Sequence, residues 1–344
     1  ISPSSSYSTT GLRGVAASLS FGRVTLSALS GMSLPVSGKP LSVTPGVNIG
    51  CLMKYGQFSL SAAGNFKASD SGTMVYDMLK IGLDARFCFK GTDLFGEVGT
   101  DLSGMSMAGL GGAVFRIGDD SKIGLLGRYY PPSYSKELTG AVKSGTYARD
   151  EAALSLSFER KALVLSTDLY RKLTEGRDQV KFLATHDIAL GRNWSLKPRM
   201  SVRYRGGSDL DLKTGLRTDI SWNRVPWSQT VRVDWMRYVG NGFLGYYELG
   251  LQKEVLTAYF RATAFLIDNW DDRIYSYERD APGNFNVPAY YGRGFSLNLN
   301  GAWKPRLRKG RLRLYLGVYY KEAEKPGRSV ERNAGLRFQS VFSF

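Results

Sequence analysis

The sequence predicts an all-β fold, a transmembrane antiparallel up-and-down β-barrel of about 18–20 strands. Three observations predict it. Apolar and polar residues alternate through nearly the whole 344-residue chain, turn residues separate the alternating segments, and short connections are interleaved with long ones. A period of two places successive side chains on opposite faces of a strand. We therefore expect one apolar and one polar face along the whole chain.

The segment LRLYLGVYY shows the pattern, because Leu312, Leu314 and Leu316 alternate with Arg313 and Tyr315. A soluble β-sandwich would show similar alternation within single strands. It would not explain why Trp and Tyr stand at the ends of segments, as interfacial residues do, or why the pattern continues through almost the entire chain. These features favour the barrel over the sandwich.

Connections of two lengths separate the segments, which is typical of barrels with tight turns at one rim and longer loops at the other. Tight turns are predicted at Phe21–Arg23, Tyr55–Gln57, Lys90–Asp93, Gly118–Ser121, Glu159–Ala162, Gly191–Trp194, Asn223–Trp227, Lys253–Glu254 and Lys304–Gly310. Longer connections are predicted at Gly31–Pro45, Lys67–Val75, Tyr130–Ala148, Asn269–Arg293 and Lys321–Glu331. The loop at 269–293 is expected on the extracellular side.

The predicted organisation is a Ser-rich segment at 1–12, followed by a single transmembrane barrel at 13–344. Counting segments gives about nineteen strands, whereas single-chain bacterial barrels normally have an even number. We expect either that one hairpin is miscounted or that a further strand lies upstream of Ile1, and we favour the upstream truncation.

The composition excludes several other classes of protein. No apolar run approaches the ~18 residues of a membrane-spanning helix, and no zinc-finger spacing, phosphate-binding loop or RNA-binding signature is present. Lys and Arg number 46 against 30 Asp and Glu, a formal charge of +16, but the basic residues are scattered singly. We therefore expect no nucleic-acid partner.

Candidate catalytic and metal-binding residues are scarce. The one histidine, His186, shares parity with Phe182 and Ile188 and should lie on the outer wall. Cys51 and Cys88 should face opposite sides of non-adjacent strands, too far apart for a disulfide, so both are expected to be free thiols. No metal-ligand spacing occurs. We expect no enzyme, no cofactor and no metal.

The polar face is predicted to be rich in basic residues. Two interpretations remain open: a basic lumen that favours anions, or a polar lumen whose charges pair or hydrate without transport. The candidate lumen-lining residues are Lys197, Arg199, Arg203, Arg205, Arg217, Arg232, Arg261, Arg313 and Arg337.

The long loop and the strand after it, Asp268 to Asn300, carry a more specific pattern: Arg-Ile-Tyr at 273–275, Tyr-Glu at 277–278, Val-Pro-Ala at 287–289 and an aromatic-Gly pair at 291–292. This run resembles the late part of large outer-membrane barrels of Bacteroidota that carry N-terminal helix-hairpin-helix segments. The resemblance implies a missing N-terminal part and no particular activity. The candidate loop residues are Arg273, Tyr275, Tyr277, Glu278, Pro288, Tyr290 and Tyr291.

The chain ends in RNAGLRFQSVFSF, which places Phe338, Phe342 and Phe344 on one face. An aromatic last residue resembles the C-terminal signal by which outer-membrane proteins are passed to their assembly machinery. The resemblance implies a bacterial outer-membrane location in a Gram-negative organism. The expected partners are outer-membrane lipid and lipopolysaccharide, the barrel assembly machinery and other outer-membrane proteins.

Two functions follow as expectations. The first is a pore or transport protein with a basic lumen, open or plugged by the loop at 269–293, because loops beyond ~12–15 residues are usually functional or disordered. The alternative is a closed barrel that acts as a structural or assembly partner in an outer-membrane protein complex. The loop is expected to fold over the mouth, enter the lumen or bind a neighbour.

Overall fold

The structure is a computed structural model that describes residues 13–33, 41–69, 71–134, 142–143, 148–207, 211–281, 283–284, 286–305, 310–327 and 329–343. These residues form one antiparallel sheet of 20 strands and a second sheet of two short strands. The prediction of an all-β, antiparallel up-and-down fold is confirmed. Within the described ranges, no helix is long and apolar enough to cross a membrane.

Nine strands precede residue 161. They are β1 (Arg13–Phe21), β2 (Val24–Ser33), β3 (Ser42–Met53), β4 (Gly56–Ala68), β5 (Met74–Phe89), β6 (Thr92–Asp101), β7 (Ser106–Ile117), β8 (Ser121–Tyr130) and β9 (Glu151–Arg160). The strands that follow are β10 (Leu163–Lys172), β11 (Arg177–His186), β12 (Ile188–Ala189), β13 (Trp194–Arg205), β14 (Asp211–Arg224), β15 (Trp227–Arg237), β16 (Asn241–Gln252), β17 (Leu256–Ile267), β18 (Ile274–Tyr275), β19 (Ala289–Tyr290), β20 (Gly292–Trp303), β21 (Arg311–Glu324) and β22 (Glu331–Ser343). The short strands β18 and β19 form the second sheet.

The strand count agrees with the prediction once β12 is considered. This two-residue strand pairs with β13, as does β11. It therefore continues β11 after an interruption at Asp187 and is not a separate strand of the sheet. When β11 and β12 are counted as one, the large sheet has nineteen strands among the described residues, the number that the sequence predicts.

The chain divides into two compact units. The first comprises Ile1–Lys161, Ser166–Val180 and Arg205–Gly207, and the second comprises Ala162–Leu165, Lys181–Tyr204 and Ser208–Phe344. In the first unit, β1 to β9 are joined as consecutive antiparallel hairpins. Their tight turns need backbone with positive φ, which glycine adopts at little cost. Gly22 and Gly91 meet this need, with φ of 60° and 82°.

In the second unit, β14 to β17 continue into β20, β21 and β22. The register sets side chains in rows across the strands. One row contains the apolar residues Leu249, Phe260, Leu299, Val318 and Leu336. The neighbouring row, one residue away along each strand, contains Glu248, Arg261, Asn298, Tyr319 and Gly335. The predicted alternation of an apolar and a polar face is confirmed here.

The apolar face is open to its surroundings. Leu336 and Phe338 are 70% and 68% exposed, and most other apolar side chains of this face are also exposed. Monomeric soluble proteins rarely expose contiguous apolar patches larger than a few hundred Å². Phe338 and Phe342 stand on this face, as predicted. Phe344, like the Ser-rich segment at 1–12, lies outside the described residues.

Several predicted connections are shorter in the structure. β2 continues to Ser33 and β3 begins at Ser42, so the strands occupy both ends of the predicted Gly31–Pro45 connection. β21 likewise continues to Glu324. The reason is that cross-strand pairing, such as that of Met32 with Val43, continues into residues that the sequence alone presents as a loop. The free state of Cys51 and Cys88 is confirmed.

The register of the β21–β22 hairpin is open to a direct test. Val318 and Leu336 are paired across the two strands, and paired Cα atoms lie within the distance that a disulfide spans. In a protein with Cys51→Ser and Cys88→Ser, we expect Val318→Cys and Leu336→Cys to form a disulfide, detected as a cross-linked peptide by mass spectrometry.

Val318→Cys with Ser340→Cys is the matched control. Ser340 pairs with Leu314, which places it about 13 Å along the strand from the partner of Val318. A cross-link in the control pair, or its absence in the Leu336 pair, would show that the register is different.

Candidate functional site

The connection between β17 and β20 has a folded structure of its own. We call Asp268–Tyr291 the docking segment. It begins with a 3-10 turn at Trp270–Asp272 and continues as a narrow hairpin, in which β18 pairs with β19. Further along this hairpin, the Glu278 N–H donates to the Asn286 carbonyl at 2.9 Å. The segment therefore satisfies part of its own backbone hydrogen-bonding capacity and can pack as a unit.

The start of the docking segment lies against the turn between β15 and β16. Asp272 is fully buried, and its carboxylate accepts a hydrogen bond from the Gly240 N–H at 2.7 Å. A Cβ atom at position 242 would lie 2.9 Å from the Asp272 carbonyl oxygen. Gly242 thus allows the segment to approach the sheet closely, a common reason for glycine within a strand. Lys213 of β14 also donates to the Asp271 carbonyl.

A buried carboxylate joins the segment to the polar face of the sheet. Glu248 of β16 and Arg261 of β17 are 7% and 6% exposed. Arg261 donates to Glu248 from Nε at 2.9 Å and from Nη2 at 2.5 Å. Arg279 of the segment donates to the other carboxylate oxygen at 3.0 and 3.1 Å. One carboxylate therefore binds a strand residue and a segment residue together.

Arg261 makes a second connection to the segment. Its Nη1 donates to the Tyr277 carbonyl at 2.5 Å, and its guanidinium lies 4.1 Å from the ring centroid of Tyr246. The guanidinium of Arg279 lies 3.6 Å from the ring centroid of Tyr259. Both arginines thus combine charge pairing with cation–π contact, which is strongest where water is excluded.

Apolar contacts bury another part of the segment. Ile274 and Tyr290 of the segment form a buried cluster with Leu244, Phe265 and Ile267 of β16 and β17. The Phe265 and Tyr290 rings meet edge to face, 5.0 Å between centroids. Large apolar side chains contribute roughly 1.5–3 kcal/mol each on burial, whereas buried ion pairs often contribute little net stability. We infer that the apolar cluster supplies most of the docking energy and that the charges fix the position.

This cluster is the feature that the sequence prediction missed. Leu244 shares strand parity with Glu248, and Phe265 shares parity with Arg261. Apolar residues at positions that should face water are a signal that something covers them. That signal was present in the sequence and would have predicted a cover over β16 and β17.

Glu278 is a second polar centre of the segment. It accepts hydrogen bonds from the Tyr290 hydroxyl, from Asn286 Nδ2 at 3.3 Å and from Asn298 Nδ2 at 3.4 Å. Burial raises the pKa of Tyr290 well above its usual range, and the negative charge of Glu278 raises this pKa further. Tyr290 therefore remains a hydroxyl donor to Glu278 at physiological pH.

The predicted basic residues prove to be largely paired. Arg217 pairs with Asp234 at 2.5 Å, Arg232 with Asp219 at 2.8 Å, and Lys197 with Asp187 at 3.2 Å. Arg337 of β22 pairs with Asp280 of the docking segment. The basic side chains of this face thus act chiefly as partners of acids, some of which the segment supplies.

Other predicted residues have different environments. Arg199 and Arg313 form no ion pair within the described residues, and Arg203 lies 5.9 Å from the ring centroid of Tyr238. Arg205, also predicted to line the lumen, is half-buried on β13. His186 is exposed.

The predicted loop residues fall into two groups. Glu278, Tyr290 and the Tyr277 backbone contact the sheet, as described above, and Tyr291 contacts the Trp270 ring edge to face at 5.5 Å. The side chains of Tyr275 and Tyr277 are exposed. Arg273 lies over the Trp270 ring at 4.6 Å, and the Pro288 carbonyl accepts from the Ser276 N–H.

The first unit contains a separate set of buried charges. Arg128 of β8 donates to Glu151 at 2.6 Å and to Asp168 at 2.9 Å. Nearby, the ammonium of Lys80 lies 4.3 Å from the ring centroid of Tyr134. Burial raises the pKa of Tyr134 to about 12. No group of three or more metal-binding side chains occurs in either unit among the described residues.

A cavity of about 270 Å³ lies between the docking segment and strands β20 to β22. The segment lines it with Glu278, Arg279 and Asp280. The facing strands contribute asparagine, tyrosine, lysine and arginine side chains. It is therefore a polar site that the docking of the segment creates.

Comparisons with known proteins add little. The chain matches no family model, and none of the curated proteins matches it. Among solved structures, a similar chain is that of the crystal structure of Pseudomonas aeruginosa OccK5 (OpdH), with 11% sequence identity and a TM-score of 0.42, covering 93% of this chain and 97% of that one. A likeness at this level supports no inference about function.

The role of Glu248 can be tested by limited proteolysis. Glu248→Gln removes the charge that holds Arg261 and Arg279, and breaking a buried pair in this way typically costs about 3–5 kcal/mol. We expect trypsin to cleave the variant after Arg273 and Arg279 at concentrations that leave the wild-type segment intact, as read by mass spectrometry.

Glu159→Gln is the matched control, because Glu159 makes an exposed ion pair with Lys122 at 3.7 Å. This variant should show the wild-type cleavage pattern. Equal resistance of Glu248→Gln and the wild type would mean that Glu248 does not hold the segment.

Proposed function

We propose that this protein is an integral β-barrel of the bacterial outer membrane that forms a pore, and that the docking segment plugs the pore. The polar face would line the lumen, and the apolar face would contact lipid. One observation carries the proposal: a single sheet has an exposed apolar face, while its polar face holds a folded segment of the same chain.

The membrane location is supported by the distribution of exposed side chains. The row Leu249, Phe260, Leu299, Val318 and Leu336 lies across five neighbouring strands on the apolar face. Alternation of apolar-out and polar-in residues is the pattern of outer-membrane barrels. The exposed Trp303 and Trp227 lie at strand ends, where aromatic girdles meet the membrane interface.

The plug is supported by the number of independent contacts that the segment makes. Its start binds the β15–β16 turn, and its middle binds Glu248, Arg261 and Arg337. Its end packs on Phe265. Irregular backbone at membrane depth is tolerated where protein or a water-filled cavity surrounds it. A segment inside the lumen would meet this condition.

The proposal also covers the finer expectations about location and partners. Arg199 and Arg313, which form no ion pair within the described residues, would make the lumen favour anions, because fixed charges raise the local concentration of counter-ions. Lipid and lipopolysaccharide would cover the apolar face, and the C-terminal aromatic residues would engage the assembly machinery. Membership of the Bacteroidota barrels with helix-hairpin-helix segments stays a proposal that rests on the sequence run at 273–292. We propose no catalytic role.

A second candidate is a closed barrel that serves as a structural or assembly partner. The pairing of Arg217, Arg232, Arg261 and Arg337 with carboxylates favours it. Paired charges attract permeating anions less than free charges do. In a closed barrel, these ion pairs would stabilise the interior and would have no role in transport.

Single-channel recording in a planar bilayer separates the two candidates. We expect low conductance for the wild type and a several-fold higher conductance for Glu248→Gln with Arg279→Gln, because this pair of changes removes the link between sheet and segment. The matched control is Glu159→Gln with Lys122→Gln, an exposed pair, which should conduct like the wild type.

A salt gradient in the same recordings reads the selectivity. Arg199→Gln should lower the preference for anions, since Arg199 has no carboxylate partner within the described residues. Silence of the wild type and of the Glu248 and Arg279 variant would support the closed barrel. A wild type that already conducts as well as this variant would contradict the plug.

A further inference from the structure

The cavity beside the docking segment is the strongest candidate for a binding site. Its volume of about 270 Å³ is below the range of ≈ 300–1,000 Å³ that holds drug-sized ligands. A solute of the size of a single sugar ring is therefore the appropriate class. The cavity lies entirely within the second unit.

The register explains how the strands build its floor. Ser296, Lys321 and Asn333 form one row across β20, β21 and β22, and Asn298, Tyr319 and Gly335 form the next row on the same face. Neighbouring strands are about 4.8 Å apart and such rows about 6.8 Å apart. A Cβ at Gly335 would overlap the Tyr319 ring. Glycine there lets the ring lie flat and leaves the floor open.

Most charged groups of the cavity are already engaged. Arg337 binds Asp280, and Arg279 binds Glu248. Glu278 accepts hydrogen bonds from Tyr290, Asn286 and Asn298. These groups shape the cavity but have little capacity left for a ligand.

The groups of the cavity that can still bind a ligand are mainly hydrogen-bond donors. Lys321 forms no ion pair among the described residues, although Glu278 lines the same cavity, and its ammonium lies 4.5 Å from the ring centroid of Tyr290. Asn300 accepts from the Tyr315 hydroxyl at 2.5 Å, which leaves its NH₂ group available. The Asn333 side chain and the Tyr319 hydroxyl make no hydrogen bond within the part of the chain that the structure describes. One cation and several neutral polar groups thus face the same space.

We propose that this cavity binds a small hydroxylated carboxylate. The carboxylate would pair with Lys321, and the hydroxyl groups would hydrogen-bond to Asn300, Asn333 and Tyr319. Charge-assisted hydrogen bonds are roughly twice as strong as neutral ones, so Lys321 would select the anionic solute over a neutral analogue. This inference deepens the proposed function, on which it rests for its biological meaning, because it names the solute class that reaches the plug.

The test is isothermal titration calorimetry of the purified protein in detergent micelles with three probes, namely glucuronate, glucose and glucosamine. All three have a hydroxylated sugar ring, but they differ in charge. We expect glucuronate to bind about tenfold more tightly than glucose, the size of one charge-assisted contact, and glucosamine to bind most weakly. Equal affinity for the three probes, or no binding of glucuronate, would overturn the proposal.

Variants assign the effect to the cavity. Lys321→Gln should lower the affinity for glucuronate to that for glucose, while Lys253→Gln, a change in an exposed turn, should leave it unchanged. Asn333→Ala should weaken glucuronate and glucose alike. If Lys321→Gln does not fold, the order of the affinities of the wild-type protein for the three probes tests the proposal. Unchanged glucuronate binding by folded Lys321→Gln would refute the site.

Calorimetry needs no ion flow, so its result is independent of the pore proposal. Binding of glucuronate in micelles without conductance in bilayers would support the binding site and refute the pore. Conductance without binding of any of the three probes would support the pore and refute the binding site.

Discussion

The structure of the second unit depends on the need to pair buried charges. Glu248 and Arg261 lie next to each other on neighbouring strands and are almost fully buried. Removing a carboxylate from water costs several kcal/mol unless cations and hydrogen-bond donors surround it. Arg261 meets half of this need, and Arg279 from the docking segment meets the rest. The β16–β17 pair therefore depends on the segment to pair its buried carboxylate, and the segment depends on the strands for its position.

The apolar and polar contacts of the segment have different consequences. Leu244 and Phe265 would face water if the segment left, and Ile274 and Tyr290 would lose their packing at the same time. The loss of this apolar packing opposes release of the segment, whether or not the ion pairs are intact. The charges favour the observed arrangement, because it gives Arg279, Asp280 and Asp272 their partners at the same time. A segment held in this way can block a lumen and still be displaced when its pairs are broken.

The sequence predicts the fold well because its signal is local. A period of two assigns Leu314 and Arg313 to opposite faces of one strand without knowledge of any partner, and glycine marks turns such as the one at Gly91. The docking of the segment depends on contacts between distant residues, and Arg217, for example, donates to the carbonyl of Tyr275, 58 residues away. Parity places Asp219, Asp234 and Glu248 on the polar face but does not give the register that pairs them with arginines. The basic face predicted from parity is therefore largely a set of ion pairs whose partners only the register reveals.

The contacts of the docking segment predict that it holds one position on the polar face. Pulsed electron paramagnetic resonance tests it most directly, with spin labels at Asn284→Cys in the exposed part of the segment and Lys253→Cys in the turn after β16, in a protein without Cys51 and Cys88. Both positions are exposed, so the labels should not disturb the packing. We expect a single narrow distance distribution in the wild-type background and a broad one with Glu248→Gln. A broad distribution in the wild-type background would show that the segment has no fixed position.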